Sequence, residues 1–206
     1  NSGTTTGLGA VVNINPTQGN STVVHTPGGK SAELKSQFKV KFAAASLYTG
    51  SFGSLVGMNG AKIKFGRSFA SRPFALHGFF QYAPVAVTHI GDNQPAGTLS
   101  KGDMDVCSIY IALAKESYTV DNTKAETFIQ FKTDNNIIAY GELPLKECVS
   151  TNGTWKEFTI DLEYKTLEKP NDMYLIVVAS ASKYGDYFTG GDGSILYVDD
   201  FELIYD

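Results

Sequence analysis

Glu157-Phe-Thr-Ile-Asp-Leu-Glu-Tyr164 alternates between polar and apolar side chains without a break. A period of two puts Phe158, Ile160, Leu162 and Tyr164 on one face and the polar residues on the other, which is a β-strand with one dry and one wet side. The pattern recurs on either side of this stretch. Ala32, Leu34, Ser36, Phe38, Val40 and Phe42 alternate with Glu33, Lys35, Gln37, Lys39 and Lys41; Ala61, Ile63 and Phe65 alternate with Lys62 and Lys64. Residues 106–114, 173–181 and, in part, 195–205 are apolar on both faces. Such runs predict central strands, covered on both sides or lining a ligand groove. Turn-forming residues fall between the runs, at 26–29, 50–60, 134–136, 151–153 and 185–193. About ten strands at this spacing predict an all-β chain, an antiparallel β-sandwich of jelly-roll (galactose-binding-like) type. No composition shift divides it, so residues 1–206 are expected to form one domain, with 83–102 as a long connection.

Composition narrows the function classes. The 206 residues include 13 Phe, 11 Tyr and 1 Trp, a 12% aromatic share, against 18% charged residues. A net charge of −4 argues against nucleic-acid partners, which need a basic field, and against a polybasic membrane surface. No run approaches the length of a transmembrane segment. The first residue is Asn1 rather than Met, which predicts a removed upstream segment and is compatible with export. Cys107 sits in an apolar alternating run and reads as a small buried hydrophobe; pairing with Cys148 is the alternative. His25, His77 and His89 are scattered and nothing matches a zinc motif.

Several residues are candidates for chemistry. Asp103 and Asp105, at i and i+2, could supply a glycosidase carboxylate, or simply form a polar strand entrance. Glu157, Asp161 and Glu163 read as a solvated sheet face. The parity of Trp155 places it with Glu157 and Thr159, where it could stack under a sugar; a bulge after Asn152-Gly153 would turn it inward instead. Asp199 lies between Tyr197 and Phe201 at i±2 and so is expected to point at an apolar face. A carboxylate there needs amide or arginine partners, or a structural Ca²⁺.

Residues 182–190 (SKYGDYFTG) with 193–203 (GSILYVDDFEL), together with 47–52 (LYTGSF) and 71–82 (SRPFALHGFFQY), resemble the putative carbohydrate metabolism domain of Bacteroidetes. The resemblance spans about residues 30–206 and implies a jelly roll related to carbohydrate-binding modules and some glycoside hydrolases. It also implies an exported protein, periplasmic or at the outer cell surface, with a lipid anchor or a preceding domain upstream. It carries over no catalytic residues. The closing YVDDFEL resembles the last strand of many carbohydrate-binding modules, where an Asp can help hold calcium, so Asp199 is the metal candidate. No cofactor is otherwise required.

The leading expectation is a non-catalytic domain that binds an oligo- or polysaccharide. Gln81, Asp105, Tyr110 and Trp155 would form its surface, and the loop Tyr184-Gly-Asp186-Tyr187 its rim. The aromatics would stack, while Gln81, Asp105 and Asp186 would meet hydroxyls. A glycoside hydrolase using Asp103 or Asp105, and a non-binding structural or adhesive module, are the alternatives.

Overall fold

The computed structural model describes residues 17–95, 97–167 and 172–205; the start of the chain at Asn1 lies outside them. Its strands in chain order are β1 (Thr17–Asn20), β2 (Ser31–Lys35), β3 (Gln37–Phe38), β4 (Phe42–Ala43), β5 (Ser46–Tyr48), β6 (Gly50–Val56), β7 (Gly60–Phe65) and β8 (Arg67–Phe69). They continue with β9 (Ala75–Ala83), β10 (Ser108–Ala114), β11 (Tyr118–Asp121), β12 (Ile137–Glu142), β13 (Lys156–Asp161), β14 (Glu163–Tyr164), β15 (Met173–Ser180) and β16 (Ile195–Ile204). No helix among the described residues is long and apolar enough to cross a membrane.

Two antiparallel sheets face each other, β1-β2-β16-β9-β13 and β14-β12-β10-β15-β5, with β8 paired to the far end of β15. Take β2, β5, β9, β10, β12, β13, β15 and β16 as first to eighth. One sheet then runs first–eighth–third–sixth and the other second–seventh–fourth–fifth. That order is the doubled Greek key of a jelly roll.

Alternation explains the interior. Leu76, Phe80 and Tyr82 of β9, Phe158 and Ile160 of β13, and Leu196 and Val198 of β16 point inward to meet Ile109, Ile111 and Leu113 of β10. Each such side chain contributes about 1.5–3 kcal/mol by leaving water. β10 is apolar on both faces for a second reason. A three-stranded sheet, β11-β7-β6, lies over the outer face of the six-stranded sheet. Between them Phe65, Val120, Ala112, Ile176 and Val178 form a second buried cluster.

Two expectations of parity fail. The run from 32 to 42 is not one strand. β2 stops before Ser36, whose side chain is fully buried in a polar network, and β3 and β4 form a separate small hairpin. Phe38 is therefore 41% exposed and stacks on His89 at 4.1 Å instead of entering the core. Asp199 does not point at the apolar face either. It shares the outer face with Tyr197, across from the inward Leu196 and Val198; after it Asp200 adopts a left-handed backbone (φ 52°) and the register with β9 shifts between Asp199 and Glu202. This bulge inserts a residue and reverses the parity, so Phe201 and Leu203 return to the core. Cys107 and Cys148 are fully buried free thiols.

Candidate functional site

The three-stranded sheet leaves a cavity of about 330 Å³ beneath it. Phe52, Leu55, Met58 and Ile63 come from the β6–β7 hairpin and its turn. Tyr48, Ser108, Tyr110, Val178 and Ser180 come from the outer face of the six-stranded sheet, and Lys183, Asp186 and Phe188 from the loop after β15. This volume lies at the lower end of small-ligand sites, and a mostly apolar wall with a few convergent polar groups is their usual chemistry.

Polar groups from a neighbouring strand stand beside the cavity-lining Tyr110 and Lys183. Tyr110 on β10 lies opposite Glu142 on β12. The Lys183 ammonium donates to Glu142 Oε2 at 3.0 Å, and Lys132 approaches the other oxygen at 3.5 Å. Burial alone would raise the Glu142 carboxyl, but Lys183, the Tyr140 hydroxyl and Lys132 outweigh it and hold it below its ordinary value. Burial, followed by the charge of Asp186, pushes the Tyr110 phenol well above its own. Phe131 lies 5.0 Å from the Tyr110 ring and stacks on Tyr140 at 4.9 Å, extending an aromatic shelf along this face. Lys41 sits 4.5 Å over the Phe188 ring at the other side of the cavity.

The sequence-predicted residues separate into three places. Tyr110 and Asp186 both line the cavity, and Asp186 is exposed there. Tyr184 and Tyr187 flank it in a short turn, half-buried, with Tyr187 edge-on to Phe128 at 4.9 Å. Gln81 and Trp155 stand on the outer face of the five-stranded sheet instead. There Trp155 is edge-on to His25 at 6.0 Å, and His25 stacks on Phe79 at 3.5 Å. The Asn152-Gly153 turn, left-handed at both residues (φ 53° and 74°), does not turn Trp155 into the core. Asp199 stays on this same face; its oxygens accept the amides of His25 at 2.9 Å and Asp200 at 3.0 Å. Among the described residues no three His, Cys, Asp or Glu side chains converge as a metal-ligand set.

Asp105 is in the third place, inside the protein, with 1% of its surface exposed. Its Oδ2 accepts the Ser182 hydroxyl at 2.6 Å, the Ser194 hydroxyl at 2.8 Å and the Gly191 N–H at 2.8 Å. Oδ1 accepts the Val106 N–H at 2.9 Å. The Ser182 hydroxyl also lies 2.8 Å from that of Ser36. Asp105 thus ties together the ends of β2, β10, β15 and β16 and offers no oxygen to a surface ligand. Asp103 is exposed and accepts the Ser100 N–H at 2.7 Å, closing a turn. The two carboxylates therefore do not share a face, because the segment that carries them is irregular and i, i+2 parity does not apply. Glu142, Lys183 and the hairpin roof escaped sequence reasoning. Lys183 and Phe52 lay within quoted motifs, and Ile63 within an alternating run, but nothing local links Lys183 to Glu142 or places the hairpin over the sheet.

The family described as "Putative carbohydrate metabolism domain" matches residues 2–204. No curated protein matches the chain. Among solved structures it is similar to a putative glycoside hydrolase from Bacteroides thetaiotaomicron, at 23% identity and TM-score 0.72 over 96% of this chain and 60% of that one. A putative glycoside hydrolase from Bacteroides vulgatus is similar at 24% identity and TM-score 0.66, over 92% and 77% of the two chains. At these identities the likeness establishes the fold, and the chain spans about three-fifths of the length of the first of them. The match along nearly the whole sequence makes this chain a member of the putative carbohydrate metabolism domain family.

Proposed function

We propose that this domain binds a sugar chain, without cleaving it, in the cavity between the six-stranded sheet and the β6–β7 hairpin, as part of an exported protein. The observation that carries this reading is the convergence at one cavity of an aromatic ring, Tyr110, with the polar side chains of Asp186, Lys183, Ser108 and Ser180. A pyranose has an apolar face that packs on a ring and equatorial hydroxyls that need such partners. The family description and the relatives named as glycoside hydrolases point to the same class of ligand. Calorimetry against a panel of plant and host polysaccharides is expected to find at least one ligand. Asp186→Asn and Tyr110→Ala should each weaken it by about tenfold or more, roughly 1.4 kcal/mol. The exposed Asp186 serves as the variant least able to act through folding. Retention of full affinity in both variants, or no binding across the panel, overturns the proposal.

Hydrolysis is the second reading, and one observation favours it: Asp186 lines the cavity beside Tyr110, and Glu142 stands opposite Tyr110 on the neighbouring strand. It predicts release of reducing ends that Glu142→Gln abolishes, in place of Asp105. Binding without any release of reducing ends decides for the binding domain.

A further inference from the structure

Cys107 lies just before β10, and Cys148 closes the short turn that follows β12. The two segments are pinned side by side: Leu143 donates its N–H to the Ile109 carbonyl at 2.8 Å. The turn then folds back, so that the Cys148 thiol reaches the Leu143 carbonyl at 3.7 Å and the Pro144 carbonyl at 3.5 Å. The two thiols are fully buried in one core cluster, and the sequence contains no other cysteine.

We infer that Cys107 and Cys148 are a built-in disulfide site, oxidised by thiol–disulfide exchange when the chain folds in the presence of a small-molecule or protein disulfide. Proximity is the requirement that sequence could not supply, and the fold supplies it. The first step is attack of the Cys148 thiolate on one sulfur of the oxidant R–S–S–R, which forms a mixed disulfide and expels RS⁻. The Cys107 thiolate then attacks the Cys148 sulfur, breaking the mixed disulfide and expelling the second RS⁻. Two electrons pass to the oxidant, the two thiol protons end on two RSH, and one S–S bond joins the strands. Burial bars the reagent from the finished fold, so the exchange belongs to folding. The bond would cross-link the denatured chain around β10, β11 and β12 and fix the Asp105 segment, two residues away, against the turn.

The whole chain, unfolded in urea with dithiothreitol and refolded in mixed reduced and oxidised glutathione, tests this. The expected product has lost two hydrogens by intact mass and shows no titratable thiol after denaturation. It yields one peptide pair joining Cys107 to Cys148, and its urea midpoint lies above that of the dithiothreitol-treated chain. A Cys107→Ala/Cys148→Ala chain should show no response of its midpoint to reductant. Two titratable thiols after refolding, a retained glutathione adduct, a disulfide-linked dimer, or a midpoint lowered by oxidation each overturns the inference.

Discussion

Asp105→Ala is expected to destabilise the chain by about 3–5 kcal/mol, the usual cost of removing one side of a buried charged network. The loss follows from what remains. The Ser182 and Ser194 hydroxyls and the Gly191 N–H would be left without their acceptor, and both serines are 0–1% exposed. Each orphaned buried donor costs about 1–3 kcal/mol. For a chain of this size the thermal midpoint should fall by on the order of 10 °C. Differential scanning calorimetry measures it, and a fall below about 2 °C would mean that the network contributes little. Charge adds a pH signature. Burial raises the Asp105 carboxyl above its ordinary 3.8, against its hydrogen bonds. The folded chain therefore keeps this proton at pH values where the unfolded chain has released it. That contribution is complete below the unfolded value and is lost as pH climbs through the folded one. Asp105→Asn lacks the titration, so wild type should lose stability relative to it as pH rises above the ordinary 3.8. Asp121, Asp200 and Glu142 are held below their ordinary values and act in the opposite sense, losing stability as pH falls. They are common to both chains and cancel in the difference.

Gly78→Val should cost about 1–3 kcal/mol by overpacking. Gly78 occupies an inward position of β9 between Leu76 and Phe80. A β-carbon there would stand 2.6 Å from Phe201 Cδ1 and 3.2 Å from Phe158 Cε1. These two rings pack edge-to-face at 5.4 Å directly over the glycine. Gly78→Ala should be the milder version, and adding Phe201→Ala should recover part of its cost, a non-additivity measurable in urea titrations. If Gly78→Ala instead stabilises the protein, as relief of a strand glycine would, Phe201 is free to move and the bulge at Asp200 does not fix it.

Phe201 also marks where sequence reasoning stops. Alternation located the interior face of β13, because that strand runs unbroken and the burial of Phe158 and Ile160 depends on local order alone. The same parity misplaced Asp199, since it was read from Phe201 and Leu203, which lie beyond a left-handed residue that reverses every side chain after it. An Asp-Asp pair carries no strong sign of that. Asp105 was misread for a different reason. Its partners Ser182, Gly191 and Ser194 are remote in sequence, and a carboxylate surrounded by serines is indistinguishable from a surface one until the loops are brought together. Apolar runs on both faces of β10 and β15 announced central strands, covered on both sides or lining a groove. What could not be read was that a hairpin supplies the outer cover, and that Tyr110 and Asp186 meet beneath that hairpin while Gln81 and Trp155 do not.

That hairpin divides labour along the chain. Residues 50–65 contribute Phe52, Leu55, Met58 and Ile63 to the cavity. None of the strands that define the jelly-roll order lies within them. On the proposed function, ligand selectivity would be rewritten in one short insert, by mutation or by loop exchange, while the strands of the jelly-roll order are left alone. With Phe65 kept for the buried cluster beneath the three-stranded sheet, the exposed positions Phe52, Leu55 and Met58 could be randomised as a library.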